Sequence, residues 1–147
     1  MENRPDFICA WLGMFKAGAS VALINTNLRG EALAHSIAIA AAGHAIVGGE
    51  LKDSFASARP FLKEAPRCWI QQGGPSHGES DLDQALAAMP TTDPGLKARG
   101  GLTQKDRAFF IYTSGTTGLP KAANFSDMRM LFMMSGFVGA LRPNASD

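Results

Sequence analysis

The residues best suited to chemistry stand together in Tyr112-Thr113-Ser114-Gly115-Thr116-Thr117-Gly118-Leu119-Pro120-Lys121. Thr113, Ser114, Thr116 and Thr117 bring hydroxyls, Gly115 and Gly118 bring backbone freedom, and Lys121 brings a positive charge. Glycines let the main chain approach an anion closely and take torsions that other residues resist. Successive backbone N–H groups can then turn inward and cradle phosphate oxygens, with the hydroxyls as further donors. A lysine closing the loop can meet negative charge developing on phosphate, and Pro120 stiffens the chain just before it. The bland alternative is a Gly/Thr turn with a surface lysine. Ten residues in this order, directly after an apolar strand, favour phosphate binding. The spacing is not that of the ordinary P-loop, G-x-x-x-x-G-K-[ST], because Lys121 comes three residues after Gly118 and Ala122 follows it. Gly43, Gly48 and Gly49 do not supply a G-x-G-x-x-G dinucleotide fingerprint either.

The loop needs a rigid platform, and the flanking sequence offers one. Residues 108–113 (AFFIYT) read as a buried strand leading into it, and Met128–Leu141 as a helix after it. Upstream, Phe7, Ala10, Trp11, Met14 and Phe15 recur at helical spacing, with Pro5 in the first turn, Asn3 as the expected cap and Gly18 as the stop. Residues 19–24 read as a short strand and Asn25-Thr26-Asn27 as a turn. Residues 31–42 read as a helix with Leu33, Ile37 and Ala41 on one face, stopped by Gly43. A strand at 44–47, a turn at Gly48-Gly49, a helix over 50–65 broken near Pro60, and a strand at 67–71 follow. A loop spans 73–80, a short helix 81–89 and a surface loop 90–105. Strands alternating with helices predict an α/β fold, a mostly parallel sheet layered with helices.

Composition narrows the classes. Lys+Arg number 14 against 13 Asp+Glu, a net charge of +1, with no dense basic tract, so a nucleic-acid partner is not expected. A hydrophobic fraction of 46% fits a globular chain rather than a disordered one. No stretch is apolar for long enough to span a bilayer and no signal peptide is visible; peripheral membrane attachment stays open. Cys9 and Cys68 form no metal or disulfide pattern and read as buried free thiols, which suits a reducing, cytoplasmic setting.

The loop resembles the signature of the adenylate-forming (AMP-binding) superfamily, which includes acyl-CoA synthetases, amino-acid-activating domains and luciferases. A second stretch, Ile24-Asn25-Thr26-Asn27-Leu28-Arg29, is similar to the fatty-acid transport protein branch of long-chain and very-long-chain acyl-CoA synthetases. Glu2-Asn3-Arg4-Pro5-Asp6-Phe7 and Lys121-Ala122-Ala123 fit the same branch. The resemblance implies that residues 1–147 are part of a large N-terminal AMP-binding domain, incomplete at both ends, with the phosphate-binding loop at 112–121. By the same resemblance Thr113, Ser114, Thr116, Thr117 and Lys121 hold ATP phosphates, Gly115 and Gly118 give the close approach, and Lys121 is the catalytic cation. Mg²⁺ would bridge phosphate oxygens; no protein metal ligands are expected. The implied reaction is carboxylate adenylation by ATP followed by thioester formation with CoA, with a long-chain fatty acid as the acyl donor. The family's adenine, acyl and ribose sites and its lid are expected beyond Asp147, so the isolated chain is expected to be inactive. Two alternatives remain: a ligase for another carboxylic acid, and a non-catalytic remnant.

Other candidates weigh less. His35, His44 and His77 lie in different elements without metal spacing. Where the family usually carries a histidine or other polar group after the loop, this chain has Asp127. An acid facing a triphosphate would be unfavourable, and Asp127 with Ser126 is expected to start the following helix. Arg29 is expected to be structural. The methionine-rich helix 128–141 is expected to be core or a domain contact.

Overall fold

The computed structural model describes residues 1–76, 78–113 and 120–142. Helix α1 (Pro5–Lys16) starts with Pro5 at its first position, where the missing N–H is harmless. Its N-cap is Arg4, which makes no side-chain cap bond, so Asn3 does not play the expected role. Its end follows the expected signal. Gly18 takes φ 82°, Gly18 N–H donates to Phe15 C=O (3.0 Å) and Ala19 N–H to Met14 C=O (2.9 Å). That is the paired closure that a left-handed residue allows.

Strand β1 (Val21–Leu23) leads through an Asn25-centred turn, in which Asn25 Oδ1 accepts from Asn27 N–H at 2.9 Å, into α2 (Gly30–Ala40). Arg29 is structural as expected: its guanidinium donates to the carbonyls of Thr26 (2.6 Å) and Leu28 (2.8 Å). Helix α2 ends at Ala40 because Ala41 turns left-handed at φ 49°, two residues before Gly43, the expected stop. Strand β2 (His44–Gly48), α3 (Lys52–Ala58), β3 (Arg67–Gln71), β4 (Ser80–Asp81) and α4 (Leu82–Ala87) follow. The break near Pro60 is a 3-10 turn over Arg59–Phe61. Asp81 caps α4 by accepting Gln84 N–H at 2.9 Å. Strand β5 (Arg107–Thr113), β6 (Lys121–Ser126) and α5 (Asp127–Leu141) complete the described chain.

The class is α/β, and three of the four strand pairings are parallel. The sheet is divided into two three-stranded sheets, β1-β5-β6 and β2-β3-β4. The antiparallel β5–β6 pairing was not foreseen: residues 121–126 carry Lys, Ala, Asn and Ser, which do not favour strands, and only the ladder with β5 extends them. Leu33, Ala34 and Ile37 of α2 pack with Val47, Phe55, Ala58, Cys68 and Ile70 around the second sheet. Ile70 is 1% exposed, a burial worth about 1.5–3 kcal/mol. Val21, Ala108 and Phe109 form a second cluster under Trp11, Met14 and Phe15 of α1.

Two sequence expectations are corrected. Cys9 is exposed, on the side of α1 that carries Ile8 and Leu12 and faces away from the packed Trp11–Phe15 side; Cys68 is buried as expected. Of the two alternatives for helix α5, core and domain contact, only core is overturned: Phe132 is 80% exposed, and Met133, Met134, Phe137 and Leu141 are exposed too.

Candidate functional site

The site is built on β5. Ala108, Phe109 and Phe110 are buried, with β1 parallel on one side and β6 antiparallel on the other. Phe109 stacks flat on Phe125 of β6 (ring centroids 5.0 Å apart, planes 2° apart) and meets Trp11 of α1 edge-on at 5.6 Å. On the opposite face, Arg107 lies over the Phe110 ring at 4.5 Å, and the Tyr112 hydroxyl donates to the Ser36 carbonyl of α2 at 2.7 Å. Burial pushes the Tyr112 phenol up from its ordinary value, which keeps it a donor.

The ladder ends on the register pair Thr113↔Lys121, and Thr113 Oγ1 reaches the Lys121 carbonyl at 3.5 Å. Directly opposed residues of a ladder share a face, so both lie on the Phe109 side of the sheet, away from Tyr112. Both are exposed, and Lys121 makes no ion pair among the described residues. Ser114, Gly115, Thr116, Thr117 and Gly118 lie outside the described residues, as does His77. The structure therefore brings together the two flanks of the loop, Thr113 and Lys121, at the loop end of the β5–β6 hairpin.

Asp127 sits at the other end of β6. It lies six positions after Lys121, the first residue of that strand, about 20 Å at strand rise. Its backbone N–H donates to Asp106 C=O at 3.3 Å, while Ser126 Oγ accepts Arg129 N–H, also at 3.3 Å, and caps α5. An acid at this helix start complements the helix dipole and is remote from the loop flanks. Asp106 in turn accepts Thr103 N–H (2.6 Å) and Thr103 Oγ1–H (3.0 Å), which hold its carboxyl below the usual range.

Two features were missed from sequence. Strand β6 makes the loop a hairpin connection, and the Tyr112–Ser36 bond ties its first flank to α2. The alternation of Ala123, Phe125 and their neighbours was too weak a signal for the first, and a 76-residue separation hid the second. Among the described residues no group of three or more His, Cys, Asp or Glu side chains could hold a metal ion.

An apolar cavity of about 720 Å³ lies away from the loop, between the two sheets.

Comparison with known proteins agrees with this architecture. The AMP-binding enzyme family matches residues 1–145. Long-chain fatty acid transport protein 1 of Rattus norvegicus is 44% identical over 127 residues, 84% of this chain and 19% of its own length. The Homo sapiens protein of the same name is 38% identical over 151 residues, covering 100% of this chain and 23% of its own. The medium/long-chain-fatty-acid–CoA ligase FadD6 of Mycobacterium tuberculosis is 32% identical with the same coverage. The chain thus spans about a fifth of the length of these curated relatives. The crystal structure of the anthranilate CoA ligase AuaEII in complex with anthranoyl-AMP superposes with a TM-score of 0.72 over 83% of this chain and 23% of its own, at 24% identity. The luciferase-like enzyme of the mealworm Zophobas morio gives 0.71 over 91% and 30%, at 19% identity. With a family match across nearly its whole length and a hairpin that closes on Thr113 and Lys121, the chain belongs to the AMP-binding enzyme family, the adenylate-forming superfamily.

Proposed function

We propose that this chain supplies the phosphate-binding hairpin of an ATP-dependent long-chain fatty acid–CoA ligase. The observation that carries the reading is the register pair Thr113↔Lys121, which clamps together the ends of a loop rich in glycine and hydroxyl residues. In this reading Thr113, Ser114, Thr116 and Thr117 donate to ATP phosphate oxygens, and Gly115 and Gly118 allow the backbone to come close. Lys121, the catalytic residue of the proposal, sits over the phosphates and offsets the charge that grows as a carboxylate attacks. The exposed Lys121 ammonium at the loop's mouth, without an ion pair among the described residues, fits that role. Mg²⁺, bound through phosphate oxygens, would supply further charge neutralisation. Acyl transfer to CoA belongs to the longer polypeptide, because adenylation needs adenine and acyl contacts held in one geometry. The long-chain preference rests on the names of the curated relatives at 38–44% identity. A second reading, a ligase for another carboxylic acid, shares the hairpin and differs only in the acid it activates.

The test is a calorimetric titration of Mg-ATP into the 147-residue chain and its Lys121→Ala variant. The loss of one charge-assisted contact predicts binding weakened by about tenfold or more in the variant. Equal affinities would remove Lys121 from the site and with it the proposed role of the hairpin.

A further inference from the structure

The end of β5 that leads into the loop outruns its neighbour β1. Strand β1 pairs with β5 over Val21↔Phe109, Ala22↔Phe110 and Leu23↔Ile111 and then ends, while the β5–β6 ladder continues through Tyr112↔Ala122 and Thr113↔Lys121. Beyond Ile111, among the described residues, the tip that carries the loop has only the two strands of the hairpin. A two-stranded ribbon is marginal in water unless one face packs on something. The Thr113 face is open there: Ile111, Thr113 and Lys121 are all exposed. On the other face Tyr112 reaches α2, where its hydroxyl donates to the Ser36 carbonyl at 2.7 Å. The acceptor is well fixed. Ser36 is fully buried, its own hydroxyl donates to Ala32 C=O at 3.0 Å, and Leu33, Ala34 and Ile37 around it pack in the second sheet's core. A carbonyl has two lone pairs, so it can accept the phenol as well as a helical N–H.

We infer that Tyr112 is a positioning residue for the phosphate-binding loop: its hydroxyl, held by the Ser36 carbonyl, fixes the overhanging tip of the hairpin and with it the direction in which Thr113 and Lys121 leave the sheet. The inference rests on the hairpin reading above and adds to it a residue that contacts no nucleotide. Successive strand residues point to opposite faces. Tyr112 therefore anchors one face, while its neighbour Thr113 and the opposed Lys121 present theirs on the other. A hairpin tip can twist about its axis or lift away from the body. The ladder bonds inside it resist neither motion, because both strands move together. The Tyr112–Ser36 bond resists both, because it leaves the hairpin and ends on a helix seated in the core. Packing of the ring alone is non-directional, whereas a hydrogen bond fixes distance and angle. Without that bond the loop samples more orientations, and gathering it around phosphate costs conformational entropy that the anchored loop has already given up. The 76-residue separation means that α2, not local sequence, sets the loop's aim.

Two measurements on the 147-residue chain test this, with Tyr112→Phe as the variant and Ile37→Val as its control. Ile37 is buried in the same helix next to Ser36, and loss of one methylene there lowers the urea midpoint without removing the phenol or its acceptor. The first measurement is hydrogen exchange without nucleotide. In Tyr112→Phe the amides of residues 111–113 and 121–123 should exchange about three- to tenfold faster, the scale of one hydrogen bond, while residues 107–110 keep their rate. The second is calorimetric titration with Mg-ATP of chains shown to be folded by circular dichroism. Tyr112→Phe should bind about three- to tenfold more weakly, and Ile37→Val should bind like the wild type despite its lower midpoint. Unchanged exchange at the tip of Tyr112→Phe overturns the proposal, as do equal losses of affinity in the two variants. Wild-type affinity in Tyr112→Phe, with Lys121→Ala weakened, overturns this proposal alone. Wild-type affinity in Lys121→Ala, or no Mg-ATP binding by the wild-type chain, overturns the hairpin reading and this role for Tyr112 with it.

Discussion

The Tyr112 hydroxyl donates to the Ser36 carbonyl at 2.7 Å, joining the end of β5 just before the loop to the middle of α2, which also packs on the second sheet. Ser36 itself is fully buried and its own hydroxyl donates to Ala32 C=O at 3.0 Å. One phenol therefore links the strand that presents the loop to the helix that both sheets share.

Tyr112 is the single tyrosine of the chain, so its ionisation can be read by phenolate absorbance alone. Burial raises its pKa above the ordinary value of about 10. The stabilisation is fully present below the unfolded value of about 10 and is lost as pH rises through the raised folded value. Alkaline titration should give a midpoint above 10 in the folded chain, returning to about 10 in urea. Tyr112→Phe should lower stability by about 0.5–1.5 kcal/mol in urea melts at neutral pH. A folded-state midpoint at the urea value would contradict the buried bond.

The contrast between β5 and β6 shows how far the sequence alone could reach. Residues 108–113 are apolar enough to identify as a strand by themselves, and the loop's glycines and hydroxyls stand out by type. Strand β6 is extended because β5 offers it a ladder, so its state is decided by a partner across the loop rather than by Lys121, Ala122, Ala123 and Asn124. Cys9 was misread for a related reason: Ala10 and Trp11 are its sequence neighbours, but a helix turns them to a different side. The family was legible through the loop and Ile24–Arg29, whereas the division into two sheets depends on which edges find partners and has no local signature.

At Gly49, just after β2, the backbone runs close against the turn after β3. A Cβ added there would lie 1.8 Å from the Gln72 carbonyl oxygen and 2.9 Å from its carbon. Backbone cannot swing aside as a side chain does, so Gly49→Ala should cost about 1–3 kcal/mol or more. Gly43→Ala is the control, because a Cβ there meets nothing within 4 Å. Urea midpoints of the two variants should separate clearly; equal midpoints would show that the β2–β3 end is looser than drawn.

The two thiols should react at very different rates. Cys9 is exposed, whereas Cys68 is buried in the second sheet's core and burial pushes its thiol up to about 11. Only a thiolate attacks an alkylating reagent, so at pH 8 iodoacetamide should modify Cys9 first and Cys68 only after unfolding. Mass spectrometry of the partly labelled chain reads the site directly. Comparable labelling at both positions would mean that the core around Cys68 opens readily.

Asp127 tests whether the hairpin isolates the loop from the nearest acid that follows it. It stands about 20 Å from Lys121 along β6, well beyond a screening length of about 8 Å at physiological salt. Its backbone is tied to Asp106 and its place is the first turn of α5. Asp127→Asn should therefore change Mg-ATP affinity by less than about twofold, the scale left after such screening, while Lys121→Ala weakens it strongly. Helix α5 should lose a little stability instead, because a negative charge near its N-terminus is worth about 0.3–1 kcal/mol. Tighter nucleotide binding in Asp127→Asn, by several-fold or more, would place the carboxylate near the phosphates. The six-position offset along β6 would then no longer describe where ATP sits.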